Sequence, residues 1–269
     1  MTDGVAVERT LRVALGEYDL GWEEPEVSLA RAGALLRGAA AAGARLVVLP
    51  EMALTGFTMS PDRHAEPLEG PAVRKLAALA REAGVEIVAS IARTTNDASG
   101  GVHHNSAIHV DAAGEVRLVY DKQKLFAYGG EDAVYSAGAR APAIVTIAGV
   151  RVAAFICYDL RFPELFRAVA DDVDLVLVVA NWPAARRAHW DTLLRARAIE
   201  NQCWVIGVNR TGTGGTIAYD GGSAAWDPWG ERADVEVDGA RVVDVSAERV
   251  REVREKYPFL QDKGISKPV

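Results

Sequence analysis

Residues 150–164 are VRVAAFICYDLRFPE. The first seven residues are mostly apolar and rich in β-branched side chains, which predicts a buried strand. Cys157 stands where that strand ends, and the residues that follow are polar and then helix-like. A thiol held rigidly beside the N–H groups of a turn has the placement that a nucleophile needs. The segment therefore predicts a strand, a turn and a helix, with a candidate nucleophile at the turn.

Strands and helices alternate on both sides of this segment. Apolar runs predict strands, and Ala- and Leu-rich runs that end at glycine predict helices. The strands are predicted at 11–15, 46–49, 87–91, 175–180 and 204–209, and the helices at 27–42, 71–83, 164–171 and 189–202. Antiparallel pairs are predicted for 103–110 with 116–120, for 143–147 with 151–156, and for 223–226 with 241–245.

The predicted elements favour one α/β domain over residues 1–269, because no repeat, low-complexity linker or change in composition divides the chain. Paired strands with helices at both ends indicate two sheets that pack face to face under helices. The tail at about 250–269 carries Tyr257, Phe259 and Leu260. We expect this tail to dock on its own subunit or on a neighbouring one.

Composition narrows the possible functions. The net charge is −7 without a basic block, which argues against a nucleic-acid partner. Two cysteines, Cys157 and Cys203, do not make a disulfide scaffold and suit a reducing compartment. Asp3 and Glu8 lie near the N-terminus, and no apolar run approaches the roughly 20 residues of a membrane span. We therefore expect a cytoplasmic protein without a signal peptide.

Three further ionisable residues lie where catalytic groups would be expected. Glu51 follows the strand predicted at 46–49, and Lys122 follows the strand that ends at Tyr120. Glu131 lies in the glycine-rich segment 129–131. A carboxylate at a buried strand end is partly desolvated, which favours proton uptake and suits a general base for a thiol. A nearby lysine can stabilise a developing oxyanion together with the N–H of Tyr158.

Other polar and aromatic residues have simpler explanations. His103 and His104 have no third ligand at a recognisable spacing, so no metal site is expected. Cys203 has no acid or base motif beside it, and core packing is the favoured role. Trp182 and Trp190 fit either a pocket wall or the core equally well.

Four motifs in this order resemble the nitrilase superfamily of carbon–nitrogen hydrolases over nearly the whole chain. They are LPE at 49–51, YDKQKLF at 120–126, CYDLRFP at 157–163 and RARAIENQ at 195–202. The resemblance implies a four-layer αββα sandwich and a Glu-Lys-Cys triad. It also implies homodimers or larger assemblies, with the C-terminal tail at the interface.

The same resemblance implies the role of each site residue. Glu51 would be the general base, Lys122 the oxyanion stabiliser and Cys157 the nucleophile, and Glu131 would support them. The implied reaction is acyl transfer in two steps through a thioester, without metal or organic cofactor. Many members have histidine two residues after the lysine, where this chain has Lys124, so the neighbouring lysine could alter the charge of the pocket.

One branch of the superfamily fits best. The run Asn181-Trp182-Pro183, followed by Arg186, and DPWG at 227–230 resemble bacterial omega-amidases, which act on 2-oxoglutaramate and similar small amides. A guanidinium of Arg186 or Arg187 would suit the carboxylate of such a substrate. Deaminated-glutathione amidases, N-carbamyl hydrolases and nitrilases remain alternatives. An inactive interaction protein is disfavoured by the intact triad.

Overall fold

A computed structural model describes residues 10–97 and 100–263 of the chain. Asp3, Glu8 and the last six residues of the C-terminal tail lie outside the described residues. The strands are β1 (Thr10–Leu15), β2 (Leu46–Val48), β3 (Glu86–Asp97), β4 (Gly100–Val110), β5 (Val116–Asp121), β6 (Val145–Ile147), β7 (Val150–Ile156), β8 (Leu175–Ala180), β9 (Trp204–Asn209), β10 (Thr211–Gly214), β11 (Ile217–Asp220), β12 (Ala224–Trp226), β13 (Val235–Val237) and β14 (Ala240–Ser246). The helices are α1 (Pro25–Ala41), α2 (Pro61–His64), α3 (Pro71–Ala83), α4 (Pro163–Val169), α5 (Arg187–Asn201) and α6 (Ala247–Lys256).

Twelve of these strands form two sheets. The larger sheet has seven strands in the order β13-β14-β1-β2-β3-β4-β5, and the smaller has five in the order β12-β9-β8-β7-β6. In each sheet the central strands are parallel: β1, β2 and β3 in one, and β7, β8 and β9 in the other. The strands β10 and β11 form a separate hairpin.

The two sheets pack face to face and bury a common apolar core. Val13 and Val48 of the larger sheet belong to the same buried cluster as Phe155 and Val178 of the smaller one. Side chains of α1 and α3 cover the outer face of the larger sheet, and those of α4 and α5 join the core on the other side of the smaller sheet. The order of layers is therefore helix, sheet, sheet, helix, as expected for an αββα sandwich.

Local sequence explains why these elements begin and end where they do. In α3, Pro71 occupies the first turn, where a missing N–H costs no hydrogen bond, and Gly84 ends the helix in the left-handed conformation with φ of 68°. Every residue of β8 is buried, which explains its unbroken apolar sequence. No helix in the described ranges combines the length and apolar composition that a membrane span requires.

One predicted pairing is wrong. Residues 223–226 and 241–245 are both strands, but they lie in different sheets: β12 pairs with β9, whereas β14 lies between β1 and β13. The strand β3 is also longer than predicted and pairs with β4 from Ile87 to Asp97. A pattern of apolar and polar residues identifies a strand because it reflects which side chains are buried. It carries little information about which neighbouring strand the backbone pairs with.

Candidate active site

Three strand ends bring the predicted triad together between the sheets. Glu51 follows β2 after two residues, Lys122 directly follows β5, and Cys157 directly follows β7. Glu51 and Lys122 are fully buried, whereas Cys157 is partly accessible. Because β2 and β5 belong to the larger sheet and β7 to the smaller one, the group can form only where the two sheets face each other.

The ammonium group of Lys122 lies between two carboxylates. Its Nζ atom donates to Oε1 of Glu51 at 2.9 Å and to Oε1 and Oε2 of Glu131 at 3.0 and 2.9 Å. Burial by itself would lower the pKa of Lys122, but the charges of Glu51 and Glu131 outweigh it and the pKa is raised. Lys122 therefore stays positively charged at neutral pH.

Cys157 occupies an unusual backbone position. Its φ is 44°, in the left-handed region that few non-glycine residues adopt, and it begins a short 3₁₀-helix over Cys157–Arg161. Its side chain lines the same cavity as Glu51 and Lys122. Burial and the negative charge of Glu51 raise the pKa of Cys157 well above its usual range, and Lys122 only partly opposes them. The resting sulfur is therefore a thiol, so a base must remove its proton during attack.

The three side chains open into a cavity of about 740 Å³ that includes its mouth. Most of the wall is aromatic or aliphatic, and its charged and amide side chains are Glu51, Lys122, Arg161, Asn181 and Arg186. The apolar and aromatic lining residues are Trp22, Phe57, Met59, Phe126, Tyr158, Trp182, Pro183, Ile217 and Tyr219. A small substrate can therefore place its reacting carbon at Cys157 with its chain against apolar walls.

Comparison with known proteins agrees with this geometry. Residues 12–255 match the carbon–nitrogen hydrolase family. The chain belongs to this family. It is 38% identical over 257 residues to the omega-amidase YafV of Escherichia coli K12, covering 94% of this chain and 96% of that protein. It is 32% identical over 255 residues to the 2-oxoglutaramate amidase of Bacillus subtilis 168, covering 91% and 95%.

A solved structure of the family is also similar. The carbon–nitrogen hydrolase superfamily protein XC1258 of Xanthomonas campestris, which carries an arsenic adduct in its active site, superposes with a TM-score of 0.85. It is 36% identical, and the match covers 94% of this chain and 97% of that one. The resemblance to the nitrilase superfamily and the expected fold class are thereby confirmed, and the protein is a carbon–nitrogen hydrolase.

The arginines of this hydrolase differ in their partners. Arg187 is held by Asp191 and Asp220, whereas Arg186 lines the cavity with its guanidinium 5.3 Å from the ring centre of Phe126. Arg161 also lines the cavity, 4.7 Å from the ring centre of Trp182. No carboxylate in the described residues forms an ion pair with Arg161 or Arg186. Apart from Lys122, these two are the cationic side chains among the residues that line the cavity, and a guanidinium nitrogen of Arg161 lies 3.3 Å from Nδ1 of His189.

Asn181 and Trp182 lie at the site in different ways. The backbone N–H of Asn181 donates to Oε2 of Glu51 at 2.8 Å, and its side-chain amide donates to the Glu51 carbonyl at 2.6 Å. Asn181 therefore orients Glu51 as well as lining the cavity. Trp182 forms part of the cavity wall. Trp190 packs against Trp182 but is fully buried and donates to the carbonyl of Gly222.

The other residues singled out from the sequence lie elsewhere. Lys124 approaches Glu164 at 3.9 Å and lies over the ring of Phe162. Lys122, and not Lys124, is therefore the lysine at Glu51 and Glu131. His103 pairs with Asp62, and Nδ1 of His104 lies 2.8 Å from the carbonyl oxygen of Ser136. Cys203 is buried in the core, as predicted.

Asn105, Asp159 and Arg161 were not predicted as site residues. Asp159 and Arg161 lie in the run 157–163, and the presence of an acidic and a basic residue so close to Cys157 could have identified them. Asn105 offered only a weak signal, as a polar residue within the strand predicted at 103–110. It lies buried beside Glu51 and Glu131, which its side chain contacts.

Asp159 connects the backbone around Cys157 with the backbone around Lys122. Its Oδ2 accepts from the N–H of Ile156 at 3.1 Å and from the hydroxyl of Tyr120 at 2.9 Å. Its Oδ1 accepts from the N–H of Lys124 at 2.9 Å. Burial raises the pKa of Asp159 to about 6, although Lys122 and the three hydrogen bonds oppose the rise. One buried carboxyl group thus holds both catalytic segments.

The raised pKa predicts how Asp159 affects stability. An unfolded aspartate has a pKa of about 3.9, so ionising the buried Asp159 costs more than ionising the unfolded one. Its contribution to the free energy of unfolding is fully present below pH 4 and is lost as the pH rises through 6. The difference in unfolding free energy between wild type and Asp159→Asn should fall by about 3 kcal/mol over this range. Urea titrations from pH 4 to 7.5 measure it; a constant difference would contradict the prediction.

Proposed function

We propose that this carbon–nitrogen hydrolase is an omega-amidase, which releases ammonia from a small monoamide of a dicarboxylic acid such as 2-oxoglutaramate. One observation carries the proposal: Glu51, Lys122 and Cys157 open into a mostly apolar cavity whose wall holds Arg161 and Arg186, neither of which pairs with a carboxylate in the described residues. The amide end would lie at Cys157 and the carboxylate at the arginines. The relatives named omega-amidase and 2-oxoglutaramate amidase support this choice of substrate.

The first half of the proposed reaction forms a thioester. Glu51 takes the proton of the Cys157 thiol as the sulfur attacks the amide carbon. Lys122 and the N–H of Tyr158 stabilise the oxyanion, since Tyr158 lies in the first turn of the 3₁₀-helix, where amide groups have no intrahelical acceptor. The tetrahedral intermediate collapses as Glu51 gives its proton to the leaving nitrogen, and ammonia departs.

The second half regenerates the enzyme. Water enters the space that ammonia has left, and Glu51 removes a proton as the oxygen attacks the thioester carbon. Lys122 again faces the oxyanion. Collapse of the intermediate releases the carboxylic acid, and the sulfur recovers its proton from Glu51. The same carboxylate thus serves as base and acid in each half-reaction.

Its position on the cavity favours Glu51 over Glu131 as the base. Both oxygens of Glu131 accept two donors each: Oε1 from Asn105 and Lys122, and Oε2 from Lys122 and the N–H of Phe126. The oxygens of Glu51 accept as many donors, from Asn105, Lys122 and Asn181, but Glu51 is the carboxylate that lines the cavity together with Cys157. We therefore assign Glu131 the supporting role of holding Lys122 in place.

Ammonia release from a panel of substrates tests the proposed function. We expect the highest kcat/KM with 2-oxoglutaramate, compared with deaminated glutathione, an aliphatic nitrile and an N-carbamyl amino acid. Cys157→Ser should reduce every rate by roughly a thousandfold or more, because a neutral alcohol replaces the sulfur nucleophile. Preference for the nitrile or the N-carbamyl compound would replace the omega-amidase assignment with one of those reactions.

Replacement of Arg186 tests the binding of the carboxylate. Loss of a charge-assisted contact costs about 1.5–3 kcal/mol, so Arg186→Ala should raise KM for 2-oxoglutaramate about 10- to 100-fold. KM for an uncharged amide such as butyramide should change little. Arg187→Ala is the matched control, because its guanidinium is occupied by Asp191 and Asp220. An unchanged KM for 2-oxoglutaramate in Arg186→Ala would refute the role.

We also propose that the chain forms one domain and assembles at least as a homodimer. The core shared by both sheets supports one domain. The described part of the tail packs on its own subunit, where Arg254 donates to carbonyl groups that include those of Ala170 and Val173. An aromatic patch of Trp229, Tyr257 and Phe259 stays partly exposed beside it. We assign this patch to contact with a second copy.

Sedimentation at micromolar concentration tests the proposed dimer. Phe259→Ser removes an aromatic ring that is 59% exposed, and it should shift the protein towards monomer because the interface loses apolar area. Ile144→Ser is the control, since this exposed residue lies outside the aromatic patch. A monomeric wild type, or an equal shift in both variants, would argue against the patch as the interface.

A further inference from the structure

The side-chain amide of Asn105 lies between the two carboxylates of the site. Asn105 belongs to β4 and is fully buried. Its Nδ2 donates to Oε1 of Glu51 at 2.7 Å and to Oε1 of Glu131 at 3.1 Å. An amide nitrogen carries two hydrogens, so one is available for each carboxylate.

The orientation of this amide is fixed by a second buried residue. The hydroxyl of Ser90 donates to Oδ1 of Asn105 at 3.0 Å and accepts from the N–H of Met52 at 2.7 Å. Because Ser90 gives its only hydrogen to Oδ1, the nitrogen of the amide must face the carboxylates. A flipped amide would place its oxygen against two anionic oxygens, which is strongly unfavourable.

The backbone of Asn105 contacts the same site. Its carbonyl accepts from the N–H of Lys122 at 2.9 Å. Met52, which Ser90 holds, directly follows Glu51 and has a φ of 45°. Asn105 therefore contacts Glu51, Glu131 and Lys122 through its side chain and backbone together, and Ser90 holds both Asn105 and the residue after Glu51.

We propose that Asn105 is a positioning residue that keeps Glu51 ionised and ready to accept the thiol proton. The inference rests on the role of Glu51 in the proposed function. Two carboxylates that share a site repel each other, and one then tends to retain a proton. Lys122 compensates one negative charge. Asn105 donates to both anions, and a hydrogen bond to the charged form of an acid lowers its affinity for protons.

The pH profile distinguishes this role from simple packing. Without the Asn105 donor, Glu51 binds its proton more tightly and loses its basic form at a higher pH. The acidic limb of activity should then move upward. A residue that only fills space would lower the rate equally at every pH and leave the limb in place.

Asn105→Leu removes both donors and nearly preserves the side-chain volume. We expect kcat at pH 7 to fall about tenfold or more, with KM changed less than about threefold, and the acidic limb of kcat/KM to rise by about one pH unit, a tenfold change in proton affinity. Asn201→Leu is the matched control, because Asn201 is also buried but lies in α5 and donates to the carbonyl of Arg197. The acidic limb of kcat/KM in Asn201→Leu should stay at the pH of the wild type.

Alkylation of Cys157 by iodoacetamide gives a readout that needs no substrate. Its pH dependence should shift upward in Asn105→Leu in parallel with kcat/KM. A shift in alkylation by a protein that releases no ammonia from any amide would refute the proposed function and leave the role of Asn105 intact. If Asn105→Leu folds and the acidic limbs of its alkylation and kcat/KM profiles stay at the pH of the wild type, the inference is overturned.

Ser90→Ala keeps the test decisive if Asn105→Leu does not fold, as judged by circular dichroism. This variant leaves Asn105 in place but removes the hydrogen bond that orients its amide. We expect a smaller shift of the acidic limb in the same direction. An unmoved limb in Ser90→Ala, when Asn105→Leu is unfolded, would also overturn the role of Asn105.

Discussion

The buried ammonium of Lys122, held by Glu51 and Glu131, is the interaction on which the site depends. An isolated charge in this position would be strongly disfavoured, because water is replaced by apolar core. Two carboxylates and one ammonium leave one excess negative charge, and the charge of Glu51 raises the pKa of the Cys157 thiol. The carboxylate of Glu51 therefore has two effects. It helps to keep Lys122 positively charged, and it helps to keep the resting Cys157 protonated.

This coupling ties the chemistry to the fold. Glu51 and Lys122 come from the larger sheet and Cys157 from the smaller one, so the apolar packing between the sheets sets the distance between Glu51 and Cys157. Asp159 adds a direct polar connection, because it bonds to the backbone on either side of the interface, at Ile156 and at Lys124. A change in the packing of the sheets would move the sulfur of Cys157 relative to the carboxylate of Glu51.

Much of this arrangement could be predicted from the sequence. Each triad residue follows an apolar run, and strand ends of packed sheets are natural places for polar side chains to meet. The partners of the strands at 224–226 and 240–246 could not be predicted, since hydrogen bonds between backbones are nearly independent of side-chain identity. Asn105 was missed for a related reason. Its importance comes from contacts with residues 54 and 26 positions away, and only folding brings these together.

The polar groups of the site are largely occupied by one another, and this determines how a substrate can be recognised. The polar atoms of three residues already form hydrogen bonds within the protein: Glu131, Asn105 and Ser90. They therefore offer few contacts to a ligand. The wall that remains is aromatic and aliphatic, and it can select by shape but only weakly by polarity. Arg161 and Arg186 are the cationic side chains among the residues that line the cavity apart from Lys122. In the proposed function, discrimination between a neutral amide and one that carries a distal carboxylate therefore comes mainly from these two guanidinium groups. Both lie over aromatic rings, which limits their freedom before a ligand arrives.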